Sequence, residues 1–290
     1  MKIILFFYAL FENITLAIKN ITSPSEKLYF IYLYIFLKFK RLLIYDILRI
    51  KSGSLKILSH RVYFPDYELF EMMFIDVFLK RIEYLETKNS APVIFDCGAN
   101  IGLSVFYLKV RYPNAKITCF EPSSDAYQYL KKNLSYFNGC KLVKAAVSGK
   151  NTKWANLSSP LNAAPADLSS SISSGISEIR WKDIKVKKEK VKTVRLSSYI
   201  QKGQTIDFLN LDIEGLEEDV LQDLKKTARL KQVKEMFVEY HHTKNTSFIT
   251  ILDLLTKSGF KIIPGGDVRP PLPRYKDQFY IAYFWAYKNS

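Results

Sequence analysis

The chain lacks the marks of several protein classes. It has three cysteines in 290 residues, Cys97, Cys119 and Cys140. They are too few and too widely spaced for a disulfide framework or a zinc site. A reducing, cytoplasmic setting fits them, with Cys97 and Cys119 as small core residues. No segment reaches the ~18 consecutive apolar residues of a membrane-spanning helix. The apolar run Ile3 to Phe11 could serve as the core of a signal peptide. However, Lys2 is the only early positive charge, and no small-x-small cleavage site follows. Acidic residues are also scarce. There are 28 Asp and Glu against 43 Lys and Arg, a formal net charge of +15. That excess raises nucleic acid or a membrane surface as partners. Yet 33 of the 43 are lysines spread along most of the chain. The one dense run, Arg180 to Arg195, is broken by Asp183 and Glu189 and reads as a solvated face.

The chain is organised around Val93-Ile-Phe-Asp-Cys-Gly-Ala-Asn-Ile-Gly-Leu-Ser104. An apolar run ends in Asp96, two glycines follow at Gly98 and Gly102, and a helical pattern begins near Ile101. This reads as a strand, a tight turn and a helix N-terminus. Glycine lets a ligand approach the backbone closely, and the helix start offers unpaired N–H groups. A dinucleotide turn would need G-x-G-x-x-G. Ala99 and Asn100 stand between the glycines here, so that pattern is missing. An acidic residue just before the turn suits a cationic amino-acid end better than a phosphate, as in S-adenosylmethionine. The next strand, Lys116 to Phe120, runs into Glu121-Pro122. A carboxylate there can accept hydrogen bonds from both hydroxyls of a ribose.

In chain order, residues 1–20 and Glu26 to Arg49 read as two helices. The run Leu28 to Leu37 is apolar or aromatic throughout, with Lys38, Lys40 and Arg41 after it. A helix apolar on all sides is buried or meets a membrane or a partner. Residues 26–49 are therefore expected to contact either a bilayer surface or a second protomer. Leu55 to Phe64 reads as a hairpin and Tyr67 to Tyr84 as a helix. The expected units are an N-terminal helical extension, 1–64, and a catalytic domain, 65–290. In the latter, strands 93–96, 116–120, 141–147, 206–211, 233–240, 260–263 and 278–287 are expected. Helices 101–112, 124–138, 216–229 and 246–258 alternate with them. Such alternation implies an α/β fold with a mostly parallel sheet, finished by an antiparallel hairpin. Residues 150–202 are too long for a structureless connection and read as a strand-containing insertion. That insertion and the Pro/Gly-rich loop 264–273 are where acceptor choice is expected to lie.

Carboxylates recur at the strand ends. Leu211-Asp-Ile-Glu-Gly215 closes one strand and Phe237-Val-Glu-Tyr-His-His242 another. Asp96, Glu121, Asp212 and Glu239 are thus expected on one rim, with His241 beside them. Transfer of a methyl group to oxygen needs in-line placement and a group to take the hydroxyl proton. His241 has the intrinsic pKa for a base, and Asp212 is either that base or the group that orients the hydroxyl. Asp212, Glu214 and Glu239 offer oxygens to a divalent metal such as Mg²⁺, but no ligand spacing demands one.

Asp96-Cys-Gly-Ala-Asn-Ile-Gly102, Phe120-Glu-Pro122, Leu211-Asp-Ile-Glu-Gly215 and Glu239-Tyr-His241 resemble the motifs of the FkbM family of S-adenosylmethionine-dependent methyltransferases. The likeness covers roughly residues 65–263. It implies a Rossmann-like class I methyltransferase fold and O-methylation, often of sugars or of hydroxyls on natural products. By the same likeness Asp96, Gly98, Ala99, Asn100, Gly102, Glu121, Pro122 and Ala146 hold the cofactor, with Ala146 against its adenine. Asp212, Glu239 and His241 serve the chemistry. Asn210 departs from the family, which often has Lys there. Two other readings fit these residues less well. A nucleic-acid methyltransferase would carry N/D-P-P-Y/F after the fourth strand or a Pro-Cys nucleophile. Neither is here, and no nucleic-acid partner is expected. A non-catalytic, membrane-associated scaffold would not need Asp96, Glu121 and Asp212 intact.

Overall fold

The computed structural model describes residues 2–181, 183–243, 246–265 and 281–288. Two helices open the chain, α1 (Lys2–Asn20) and α2 (Pro24–Arg41), and a π-helical turn (Leu42–Ile47) extends the second. Pro24 sits in the first turn, where the N–H it lacks would have had no partner. A hairpin follows, β1 (Gly53–Ile57) against β2 (His60–Phe64). Helix α3 (Tyr67–Phe74) is capped by Asp66, which accepts from the N–H groups of Glu68 and Leu69. A second π-helical turn, Ile75–Lys80, prolongs it.

The alternating part comprises β3 (Val93–Cys97), α4 (Leu103–Arg111), β4 (Lys116–Phe120), α5 (Ser124–Asn133) and β5 (Cys140–Val143). After an insertion it resumes with β9 (Ile206–Leu211), α7 (Glu217–Lys226), β10 (Val233–His241) and α8 (Phe248–Lys257). It closes with β11 (Lys261–Gly265) and β12 (Ile281–Tyr287). Seven strands form one sheet in the order β11-β12-β10-β9-β3-β4-β5. The five from β5 to β10 run parallel, and β12 is antiparallel to both its neighbours. The fold is α/β, with a mostly parallel sheet and the antiparallel finish that the sequence implied. Most of the loop 264–273 and the start of the last expected strand lie outside the described residues.

One expected strand, 141–147, is in fact two. The carbonyl of Val143 accepts from both Glu121 N and Ala145 N. The second contact is a three-residue turn that ends β5 and sends the chain out of the main sheet. The next piece, β6 (Ala146–Ser148), joins a small separate sheet in the order β6-β8-β7. Its partners come from the insertion: β7 (Trp154–Pro160) and β8 (Val186–Arg195), with α6 (Ser174–Arg180) between them. The basic run lies largely on β8, whose lysines are mostly exposed.

All six residues of β9 are buried, so the sheet is covered on both faces at its centre. On one face Phe208 and Phe237 share a core with Phe106, Phe78 and Phe30. Phe30 of α2 stacks on Phe78 at 4.8 Å, and Glu26 pairs with Arg81. Residue 64 therefore marks a change of element type, not a break in the core. On the other face Leu209 and Leu211 pack with Val220, Leu224 and Ile251. Cys97 and Cys119 are buried, and burial pushes both thiols well above their ordinary range, which makes them inert.

Candidate active site

The turn after β3 is built from left-handed backbone. Gly98 has φ 95, Asn100 φ 46 and Gly102 φ 84. A Cβ on Gly98 would stand 1.8 Å from the carbonyl oxygen of Asp212. Only bare backbone lets this turn abut the end of β9. Gly98 N and Ala99 N both donate to the carbonyl of Phe120 at 3.0 Å, which ties the turn to β4.

Glu121 locks the same junction. Its Oε2 accepts from Asn100 N at 2.8 Å and its Oε1 from Ser123 N at 2.7 Å. Burial pushes its carboxyl up to about 7, against the pull of these two bonds. Each oxygen keeps a second lone pair for a ligand. Asp96 is fully buried and held from two sides. Asn210 Nδ2 donates to Oδ1 at 2.8 Å and Ser104 Oγ to Oδ2 at 3.3 Å. Burial raises its carboxyl to about 6. The position that departs from the family pattern, Asn210, thus orients the first strand-end carboxylate.

A cavity of about 260 Å³ opens beside these residues. Gly98, Ala99, Asn100, Glu121, Pro122 and Ala146 line it, and so do Asp212, Glu214 and Glu239. The strand-end carboxylates of β4, β9 and β10 therefore meet in one place, as their register requires: Val238 lies beside Leu211, and Leu211 beside Cys97. Asp96 and Gly102 sit behind the lining.

His241 also lies behind it, with no exposed surface. Its Nδ1 donates to Glu217 Oε1 at 3.1 Å. Its Nε2 faces Glu214 at 3.4 Å, Glu239 at 3.5 Å and Asp212 at 3.9 Å. Burial alone would lower the imidazole pKa. The charge of Glu214 and the bonds to Glu217 and Glu239 outweigh it and hold the ring well above its ordinary value. That direction favours the protonated ring, which has no lone pair to accept a proton. The sequence suggests a base here; the structure places the ring behind the cavity lining among four carboxylates, those of Asp212, Glu214, Glu217 and Glu239. Asp212 is pushed well above the carboxylate range by burial and then by the charge of Glu239. Glu214 rises to about 7 through burial, although His241 and Arg180 pull it down. Arg180 Nη1 meets Glu214 Oε2 at 2.8 Å.

Several contributors escaped the sequence. Asp76 and Glu83, from the π-helical turn and the segment after it, line the same cavity. Burial, followed by the charge of Asp96, raises Glu83 to about 8. Glu217 is one of three acids in the first turn of α7, where acids are common for dipole reasons. Its role shows only in space. For a metal, Asp212, Glu214 and His241 bring ligand atoms within 4.8 Å of one another. Arg180 already pairs with Glu214, and a metal would require the His241 ring in its neutral form.

Residues 96–262, more than half the chain, match the Methyltransferase FkbM domain. Methyltransferase sdnD of Sordaria araneosa is 35% identical over 95 residues, 33% of this chain and 36% of that protein. The 2-O-methyltransferase NoeI of Sinorhizobium fredii is 29% identical over 160 residues, 51% of this chain and 63% of that one. The chain thus spans between about a third and two thirds of the length of these two relatives. Methyltransferase FkbM from Methylobacillus flagellatus, a solved structure, is 13% identical with a TM-score of 0.41, over 75% of this chain and 54% of that one. With its strand-end motifs gathered on one cavity and its sequence matched across that whole region, the chain belongs to the FkbM methyltransferase family.

Proposed function

We propose that the protein is an S-adenosylmethionine-dependent O-methyltransferase that acts on a hydroxyl of a sugar, a glycan or another small natural product. The observation that carries this reading is the single cavity lined both by the Gly98–Asn100 turn with Glu121 and Ala146, and by Asp212, Glu214 and Glu239. The cofactor fits what the first group offers. The backbone of the Gly98–Asn100 turn lines the cavity and is open to close approach by a ligand. Glu121 has lone pairs for two ribose hydroxyls. Ala146 presents a small apolar surface to an adenine, and the acidic lining suits a sulfonium and an ammonium. When bound, S-adenosylmethionine supplies an electrophilic methyl group.

The chain's own part is placement and proton management. Asp212 lines the cavity, whereas His241 lies behind it, so Asp212 is the group placed to reach an acceptor hydroxyl and serve as base. It would take the proton of the acceptor hydroxyl as that oxygen receives the methyl group. The buried imidazolium of His241 holds the carboxylates in position. The name of the relative NoeI, a 2-O-methyltransferase, favours oxygen as the acceptor atom. The test is methyl-labelled S-adenosylmethionine offered with a panel of free and oligomeric sugars, beside calorimetry with S-adenosylhomocysteine. Label on a hydroxyl acceptor is expected. Absence of any S-adenosylhomocysteine binding would overturn the reading.

A further inference from the structure

The N-terminal helices expose far more apolar surface than the rest of the molecule. Of 22 large apolar side chains that are exposed among the described residues, 13 fall between Phe7 and Ile50. They are not scattered. Along α2 and its π-helical extension, Leu28, Tyr32, Phe36, Phe39, Leu43 and Ile47 recur at steps of three or four and make one continuous stripe. The opposite face of α2, with Phe30, Leu33, Tyr34 and Leu37, is packed into the core. Helix α2 is therefore apolar on two sides, only one of which the fold uses. Helix α1 widens the stripe. Phe7 and Phe11 are exposed, and Phe6 bridges to both Phe7 and Phe39 by ring contacts of 5.5 and 5.8 Å. A patch of this size marks an interaction site.

A cationic cluster borders the stripe. Lys40 lies four residues after Phe36 and three before Leu43, so it flanks the stripe on the same helix. Its Nζ donates to the carbonyl of Ser54 at 2.7 Å, and Arg61 Nη1 donates to the hydroxyl of the same residue at 3.1 Å. Lys56 is paired with Arg61 across the β1–β2 hairpin. No carboxylate forms an ion pair with Lys40, Lys56 or Arg61 among the described residues. Burial, and then the charge of Arg61, lowers the Lys40 pKa. Like charges crowded without an acid call for an outside anion. Lys19, Arg49 and Lys51 are exposed nearby, against Glu12 and Asp46 as the exposed acids of residues 7–51.

We infer that the α1–α2 face is a docking surface for an anionic lipid bilayer, with the stripe seated at the headgroup boundary and the Lys40–Lys56–Arg61 cluster on lipid phosphates. The chemistry is that of an interfacial amphipathic helix, which draws on apolar burial and on attraction to anionic headgroups. No helix among the described residues is long and apolar enough to cross a membrane, so the contact is lateral. A second copy fits less well, because a two-fold contact puts the same patch on both sides and would crowd this cluster against its own copy. The docking face also lies next to the site's wall. Helix α1 packs on the π-helical turn that carries Asp76, with Asn20 bonded to the carbonyl of Leu79. A bilayer-bound protein would hold its cavity close to acceptors carried on lipid.

The test is co-sedimentation of the full chain with vesicles of phosphatidylcholine mixed with phosphatidylglycerol, and with vesicles of phosphatidylcholine alone. Strong binding to the mixed vesicles only is expected. The combined variant Phe36→Ser, Leu43→Ser, Ile47→Ser and the combined variant Lys56→Gln, Arg61→Gln should each bind roughly tenfold more weakly or less. All these side chains are exposed, so thermal unfolding midpoints should stay close to wild type. Equal binding to neutral vesicles would overturn the anionic assignment. No vesicle binding, or a dimer in solution that the serine variant dissociates, would overturn the inference in favour of self-association. Neither result bears on the methyl-transfer reading, which the calorimetry above tests separately.

Discussion

His241 and Glu217 form a fully buried ion pair: Nδ1 lies 3.1 Å from Oε1, and both side chains are 1% exposed. The pair sets the charge of the acidic cluster around it. Glu217 also accepts from Gly215 N at 2.9 Å, so the turn after β9 and the end of β10 share one carboxylate.

Replacing that carboxylate should change the ring's protonation. The imidazole pKa stands above its unfolded value of about 6.5. The stabilisation that follows is complete below about pH 6.5 and is lost as pH rises through the folded value. In Glu217→Gln the ring should release its proton at lower pH than in wild type, and the fold should weaken by about 1–3 kcal/mol near neutral pH. Nitrogen-15 spectra of the histidine rings, followed with pH, read the first effect. A ring that titrates identically in both proteins would remove Glu217 from this role.

Cofactor affinity should depend on Glu121 and on pH together. Its carboxyl is pushed up to about 7, whereas ribose hydroxyls donate best to the ionised form. Affinity for S-adenosylhomocysteine should therefore fall as pH drops below about 7. The apo fold responds oppositely. A raised carboxyl pKa means that the folded state holds more protons than the unfolded chain between about pH 4 and 7, so stability declines over that interval as pH rises. Glu121→Ala should cost roughly 1.5–3 kcal/mol of binding and flatten the pH profile. Calorimetry at several pH values checks both, and unchanged affinity in the variant would end the assignment.

Gly98→Ala should be more damaging than its size suggests. The added carbon would meet the Asp212 carbonyl at 1.8 Å, at a φ of 95. Backbone strain alone costs about 1–3 kcal/mol at such a position, and the clash adds to it. The thermal midpoint should drop and S-adenosylhomocysteine binding should fall with it. A variant as stable as wild type would mean that the turn and β9 are less tightly apposed than the structure shows.

The sequence exposed whatever is written locally. The strand, turn and helix around Asp96 follow from an apolar run, two glycines and a helical period. The carboxylates at Glu121, Asp212 and Glu239 follow from where neighbouring strands end. What depended on distant partners was hidden. Asn210 looked like a departure until Asp96 was seen 2.8 Å away. Glu83 and Asp76 read as polar positions of one long helix, because nothing local signals that its last turns are π-helical and form a cavity wall. The split at Val143–Ala146 rests on one carbonyl shared by two N–H groups. The charge of His241 required counting acids from two strand ends and a helix.

The roles of Asp212 and His241 separate most sharply by paired measurement. Asp212 lines the cavity, and removing its charge leaves the fold's apolar packing untouched. Asp212→Asn should bind S-adenosylhomocysteine within a few-fold of wild type, yet transfer methyl groups about 10²–10⁴-fold more slowly for want of a base. His241→Ala removes the cation among Glu214, Glu217 and Glu239, which are held within 3.5 Å of it. Breaking a buried pair in this way costs about 3–5 kcal/mol, so the main loss should be in stability. Were His241 the base, its alanine variant would instead stay as stable as wild type, and its rate deficit would shrink at high pH as the acceptor ionises. Unfolding midpoints and single-turnover rates for both variants, over a range of pH, distinguish a buried cation that positions carboxylates from a base that takes the proton itself.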